Sequence, residues 1–335
     1  MVVAKSVVQG TQTMRAIVQD GYGSADALQL RVIERPVLAD GRVLLRVRAA
    51  SVNALDWHSV HGGFAIRAVS SLMRQKEEPV RGVDLSGVVE AIGANVTRFA
   101  PGDEVFGSAP AAFAEYALAR EEKLALKPRN ASFEQAAAVG VAGRTALQGL
   151  RDHAQVKPGQ RVLVNGAGGG VGTFAVQIAK ALGAHVTAVT GTRTLDIVGS
   201  LGPDEIIDYT KEDFTRRSQR YDAVFDVAAN RSLSDLRRVL TPTGILVLAG
   251  ADRRGGTAIF ARILSAFVRS RVLKQRVVFF VADPNLADLV ILKELIEAGK
   301  VSPAIDRTFP LSEGVEAVRY LGTGQAKAKV VITID

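Results

Sequence analysis

The stretch Arg161–Gly172, RVLVNGAGGGVG, limits what this chain can fold into more than any other. A β-branched apolar run, Val162-Leu163-Val164, meets a glycine cluster, and the amphipathic pattern TFAVQIAKALGA follows at once. That order predicts strand, tight turn and helix. Aligned on the dinucleotide fingerprint G-x-G-x-x-G, the marked positions are Ala167, Gly169 and Gly172, with alanine in the first place. Gly169 would let the backbone approach a pyrophosphate, and Gly172 would let the helix pack closely on the strand. The N–H groups of Gly170 and Val171, at the helix start, would face the phosphates together with the positive end of the helix dipole.

A doubly wound sheet is predicted around this turn. Strands are expected at Arg161–Asn165, His185–Val189, Glu205–Ile207, Ala223–Asp226, Ile245–Leu248 and Val277–Val281. Helices are expected between them at Val171–Leu182, Leu195–Leu201, near Lys211–Arg217, at Ser232–Leu240 and at Ala258–Ser270. Right-handed crossovers put a ligand at the strands' C-terminal ends. Backbone near Val227, Ala249-Gly250-Ala251 and Val281, at strand ends, should therefore line the bound dinucleotide.

The 335 residues predict two domains. Residues 15–120 alternate in short β runs broken by Gly, Pro and Asp, with Pro101-Gly102-Asp103 as one turn, which is a small-barrel pattern. SFEQAAAVGVAGRTALQGL reads as two helices broken near Val141-Ala142-Gly143. The tail, a helix at Leu286–Ala298 and then the run to AKVVITI, is too small to fold alone and should return to the first domain. The expected division is an N-terminal extension over 1–13, a barrel domain over 14–136 and 284–335, and a dinucleotide-binding domain over 137–283.

With no cysteine, disulfides, thiolate metal sites and cysteine nucleophiles are excluded. No run approaches the ~18 apolar residues of a membrane span, and no signal-peptide core precedes the first strand, so a soluble cytoplasmic protein is expected. The net charge of +8 gathers partly in Arg253–Arg276, interleaved with apolar residues. Such a helix can lie on a membrane or nucleic acid, or be a solvated face. The stretch is short and no nucleic-acid motif accompanies it, which favours the solvated face.

Several separate segments resemble the medium-chain dehydrogenase/reductase superfamily: SVNALDWH, RGVDLSGVVEAIGANVTRFAPGDEVFG, AGRTAL and NGAGGGVGTFAVQIAKALGAHVTAV. The closest resemblance is to its zinc-independent quinone oxidoreductase branch, the zeta-crystallin-like reductases, from Met14 to Ile334. It implies a GroES-like barrel interrupted by a Rossmann domain, NADPH as hydride donor, and a homodimer joined through Rossmann edge strands. It also implies roles: Asn53 as the active-site asparagine, Thr145 beside the nicotinamide carboxamide, and Asp56, Trp57 and His58 along the substrate cleft, with His58 a candidate proton donor.

Zinc-dependent relatives have a cysteine and a histidine where this chain has Asn53 and Val83, so no metal site is expected. Asp56, His58, His61 and Asp84 read instead as polar lining. NAD-specific folds place an acid about 20 residues beyond the glycines. Thr190 stands there, and the hydroxyls of Thr190 and Thr192 with Arg193 suit a 2′-phosphate. The resemblance adds Tyr209 as a further contact to that phosphate. The expected activity is NADPH-dependent reduction of a quinone or another small, apolar α,β-unsaturated carbonyl. A non-catalytic NADPH-binding redox sensor and an NADP-dependent alcohol dehydrogenase are the alternatives.

Overall fold

The computed structural model describes residues 12–61, 80–249 and 274–335. The expected loop at Gly63–Glu78, the helix at Ala258–Ser270, the basic residues before Lys274, Gly250 and Ala251, and residues 1–11 of the extension lie outside the described residues.

The first half is β-rich, as its alternation predicts. A hairpin of β1 (Thr13–Gln19) and β2 (Leu28–Glu34) precedes the long β3 (Arg42–Val52), which runs into helix α1 (Ala54–His61). There follow β4 (Asp84–Ile92), β5 (Glu104–Ser108), β6 (Tyr116–Arg120) and the short β7 (Leu124–Leu126). The β4–β5 turn is the predicted one, with Gly102 at φ 97°, a left-handed conformation open to glycine at no steric cost.

Next come α2 (Phe133–Ala137) and α3 (Gly140–Gln148). The break falls at Ala138-Val139, earlier than the sequence suggested, because a carboxylate from β4 intervenes. A Cβ on Gly140 would lie 2.1 Å from Asp84 Oδ1, and the Val141 N–H donates to Asp84 Oδ2 at 2.8 Å. Asp84 thus caps the second helix from a distant strand.

Six strands then form one parallel sheet: β8 (Arg161–Asn165), β9 (His185–Thr190), β10 (Glu205–Asp208), β11 (Tyr221–Asp226), β12 (Leu240–Leu248) and β13 (Arg276–Phe279). Their order, β10-β9-β8-β11-β12-β13, reverses direction between β8 and β11. That switch point is where dinucleotides bind in open α/β sheets. Helix α4 (Gly170–Ala181) leaves the glycine turn and buries Phe174, Ala175, Val176, Ile178 and Ala179 completely. Helices α5 (Leu195–Ser200) and α6 (Leu233–Arg238) match two further expectations.

The expected helix near Lys211–Arg217 is only a 3-10 turn, Phe214–Arg216. The Asp213 side chain accepts from the Thr215 N–H and offers the backbone a local alternative to a longer helix. The last strand ends at Phe279, so Val281 stands beyond the sheet with 83% of its surface exposed.

The tail returns as expected. Helix α7 (Leu286–Glu297), β14 (Ile305–Pro310), α8 (Gly314–Gly322) and β15 (Lys329–Thr333) complete the first sheet, ordered β14-β15-β3-β4-β5-β7 with β6 also on β3. β15 lies antiparallel to β3, with Val330 opposite Val52, and β4 lies on β3 with Asp84 opposite Ser51. One edge of this sheet therefore gathers the end of β3 and the starts of β4 and β15. An isolated bridge between Gly169 and Ala328 joins that edge to the glycine turn of the other sheet.

Candidate active site

The glycine turn is built for a close-approaching anion. Gly166 has φ 92°, and a Cβ on Gly172 would sit 2.1 Å from the Gly166 carbonyl oxygen, so helix and turn touch backbone to backbone. At Gly169, by contrast, an added Cβ would meet only the Gly166 oxygen at 3.5 Å. Gly169 is the N-cap of α4 and has no side chain to satisfy the first-turn N–H groups, leaving those of Gly170, Val171 and Gly172 for a ligand. Ala167, in the first fingerprint place, is fully buried and donates its N–H to the Val189 carbonyl, fixing the turn to β9. These features fit the diphosphate of a nicotinamide dinucleotide.

Thr190 ends β9 and shares a 2.5 Å hydrogen bond with Thr194. A Cβ on Gly168 would meet both hydroxyl oxygens, at 2.7 and 2.6 Å, so this glycine keeps the hydroxyl pair against the turn; the fingerprint spacing did not single it out. Arg193 is exposed and makes no hydrogen bond or ion pair among the described residues. Tyr209 lies over Gly191, its hydroxyl 3.2 Å from where a Cβ would be. Thr192 differs from expectation in having its hydroxyl engaged, donating to Asp208 Oδ2 at 2.6 Å. Hydrogen bonds from Thr192 and Thr210 hold the Asp208 carboxyl below its usual range. Val227 and Ala249 sit at the ends of β11 and β12, donating their N–H groups to the Asn165 and Asp226 carbonyls.

The second half of the site lies where β3, β4 and β15 meet. Asn53 follows β3, and the register that pairs Val52 with Val330 sets it beside Lys329. Asn53 Oδ1 accepts from Lys329 Nζ at 2.7 Å, and its Nδ2 donates to Asp84 Oδ2 at 3.0 Å and to the Ser51 carbonyl at 3.3 Å. A carboxylate only accepts and an ammonium only donates, so the amide orientation is determined by its neighbours. Asp84 also accepts from Ser108 Oγ, which in turn receives a hydrogen bond from the buried Arg144 guanidinium. Sequence reasoning missed Asp84's structural role, Ser108, Arg144 and Lys329.

Asp56, expected along the cleft, is buried and accepts the Asn53 N–H at 2.7 Å, so it holds the start of α1. Burial pushes its carboxyl up to about 7; the Asn53 hydrogen bond opposes this and the Asp84 charge adds to it. In the unfolded chain the group ionises near 3.9. The folded state therefore binds more protons between about pH 4 and 7, and this group's stabilisation, complete at low pH, is lost as pH rises through its folded value. Asp56→Asn is expected to remove that loss. Relative to the wild type it should gain on the order of a few kcal/mol between pH 4.5 and 7.5. Urea unfolding of both proteins at the two pH values checks this, and parallel changes would contradict it.

Trp57 and His58 follow, half-buried, with their rings edge to face at 5.1 Å. Thr145, half-buried on α3, donates its hydroxyl to the Val141 carbonyl at 2.7 Å and keeps only acceptor capacity for a carboxamide. Among the described residues, no group of three or more metal-ligating side chains is placed to hold an ion, and no helix is long and apolar enough to cross a membrane.

A barrel-like sheet completed by the chain's tail, packed on a dinucleotide sheet with a polar cluster at the junction, defines a nicotinamide-dependent oxidoreductase of the medium-chain class. The alcohol dehydrogenase GroES-like domain family matches residues 39–129, and the zinc-binding dehydrogenase family matches residues 201–332. A chloroplastic quinone oxidoreductase, QR1, of Triphysaria versicolor is 33% identical over 336 residues, covering 95% of this chain and 98% of that one. A chloroplastic NADPH-dependent alkenal/one oxidoreductase of Arabidopsis thaliana is 34% identical, covering 95% and 79%. Among solved structures, the quinone oxidoreductase from Coxiella burnetii superposes with a TM-score of 0.83 at 30% identity, over 97% of this chain and 100% of that one. The chain belongs to the zinc-independent quinone oxidoreductase branch of the medium-chain dehydrogenase/reductase superfamily.

Proposed function

We propose that this protein is a metal-independent, NADPH-dependent reductase of quinones or other α,β-unsaturated carbonyls. The observation that carries this reading is the buried Asn53–Lys329 pair beside the glycine turn, a hydrogen-bonding site with no metal-ligand set around it among the described residues. Bound NADPH supplies a hydride. The chain's own groups then have only to hold the acceptor and stabilise the charge it gains.

An isolated ketone or aldehyde concentrates that charge on one oxygen and profits most from a Lewis acid. A conjugated acceptor spreads it, so that hydrogen-bond donors suffice. The names of the relatives, quinone oxidoreductase and alkenal/one oxidoreductase, agree with this class of substrate. Product analysis with NADPH deuterated at the transferred position tests the reading. Deuterium is expected on the β-carbon of a reduced enone; deuterium on a carbinol carbon, or loss of activity to a chelator with recovery on adding zinc, would overturn it.

The preference for NADPH rests on Thr190 in the acid's place and on the unpaired Arg193, with Tyr209 alongside. A charge-assisted phosphate contact is worth about tenfold or more in affinity, so Arg193→Ala should weaken NADPH by that factor and leave NADH nearly unchanged. Fluorescence titration with both cofactors checks it; equal losses would show that Arg193 does not read the phosphate.

The same reading divides the chain into 14–136 with 284–335, and 137–283. It also pairs two copies through β13, which among the described residues is an edge strand next to β12 alone, and where Phe279 is 41% exposed. Light scattering should give a dimer at micromolar concentration, and a monomer would contradict the pairing.

A further inference from the structure

Asn53 is the residue expected to hydrogen-bond the carbonyl oxygen, yet its side chain has no hydrogen left to give. Both Nδ2 hydrogens are directed within the protein, one to Asp84 and one to the Ser51 carbonyl. Its oxygen is occupied as well, by Lys329. Lys329 is the opposite case. Only 3% of its surface is exposed, and its ammonium carries three N–H donors, of which Asn53 takes one. Among the described residues no second acceptor lies within hydrogen-bond distance of Nζ.

A buried ammonium with two unmatched donors is costly to keep unless something else fills them. Its position indicates what that is. Ala328 bridges Gly169, and Lys329 Cδ lies 3.0 Å from where a Cβ on Gly170 would be, so the side chain runs from the glycine turn to Asn53. It touches both walls of the proposed cleft.

We propose that Lys329 is a catalytic residue of this site, donating a hydrogen bond and then a proton to the substrate oxygen that gains charge; Asn53 is the positioning residue that holds it. This rests on the reductase reading above. NADPH, when bound, would supply a hydride whose electron pair forms the new C–H bond at the β-carbon; the C=C pair would then move to the bond between the α-carbon and the carbonyl carbon, and the C=O π pair to oxygen. An O–H bond forms as an Nζ–H bond breaks, and that bond's pair stays on nitrogen as a neutral amine. The enol leaves and tautomerises in water, and the amine regains its proton from solvent.

The surroundings suit an ammonium that must release a proton. Burial pushes Lys329 below the usual lysine range, while Asp84 and Asp56 hold its charge in place. Arg144 lies beyond Asp84, linked to it through Ser108. The positive end of α4 stands beside the Lys329 side chain, at Gly170.

The test uses the full-length protein with NADP⁺ and 4-nitrophenol, a flat phenol whose anion stands in for the enolate, followed by its absorbance against pH. Wild-type protein should lower the bound phenol's ionisation by about one pH unit or more, as an opposite charge in contact does. Lys329→Met should abolish the shift. Lys329→Arg should keep it, because guanidinium stays charged, yet both variants should lose about a hundredfold in kcat with an enone, since neither can donate the proton. Lys329→Gln replaces Lys329→Met if the latter fails to fold.

A wild-type protein that does not shift the phenol, or a Lys329→Met protein that shifts it equally, overturns the proposal. So does a Lys329→Met protein that binds NADPH more weakly but turns over normally at saturation, which would make Lys329 a cofactor contact only. The probe needs no turnover. A wild-type protein that shifts the phenol through Lys329 but reduces neither quinone nor enone supports the oxygen contact and refutes the reductase reading. Turnover indifferent to Lys329 refutes this inference alone.

Discussion

Gly172→Ala is expected to destabilise the fold by about 3 kcal/mol, the upper end of overpacking penalties, whereas Gly169→Ala should leave stability unchanged and weaken cofactor affinity. The two glycines stand three residues apart in one turn, and their surroundings differ in kind. A methyl at 172 would lie 2.1 Å from the Gly166 oxygen and 2.8 Å from the Ala167 Cα, both backbone atoms that no rotamer change can move aside. Relief would require α4 to lift from β8, and the five buried residues of α4 named above resist that.

At Gly169 the backbone, φ −92° and ψ 172°, is extended and open to alanine, and the nearest atom is 3.5 Å from the new methyl. What the methyl would occupy is the space for the ligand's phosphates. NADPH affinity should therefore fall by about tenfold or more in Gly169→Ala, with the melting temperature retained. Thermal denaturation and cofactor fluorescence on both variants check the pair. Two variants that melt alike would show that Gly172 is not a packing glycine.

Asn53→Ala should lower kcat by roughly ten- to a thousandfold while NADPH still binds. The substitution removes the acceptor that holds the Lys329 ammonium and the donor that meets Asp84. Each buried charge is left with one fewer partner, which costs about 1–3 kcal/mol apiece in stability. Activity and stability should thus fall together, and KM for the acceptor should change less than kcat, because the lost function is orientation and not substrate affinity. A variant with unchanged kcat would show that the cluster is structural.

Most of the architecture was legible because its signals are local. The glycine turn, the six parallel strands and the return of the tail each follow from apolar periodicity and turn chemistry within a few residues, and the strands lie within a few residues of where that pattern put them. The polar cluster was not legible for the opposite reason. Asn53 and Asp84 are separated by 31 residues, and Asn53 and Lys329 by 276; only the antiparallel registers of β3 with β4 and β15 bring them together.

The misplaced helix break has the same origin, since the carboxylate that caps α3 comes from β4. Asn53 itself was found by resemblance, but its bonding could not be. Nothing in SVNALDWH reveals that its donors are already engaged. Lys329, in AKVVITI, reads as an ordinary strand-end lysine until its burial is seen.

The pairing of β15 with β3 also has a consequence for biosynthesis. At ordinary translation rates, Asn53 is made about 15–55 s before Lys329. Throughout that interval the segment Ala49–Val52 lacks its partner strand, and its backbone groups on that side form an open edge able to recruit any extended segment nearby. The nascent chain is therefore open to mispairing and to chaperone capture at the edge that later gathers Asn53, Asp84 and Lys329, and that cluster is complete only once β15 is laid down.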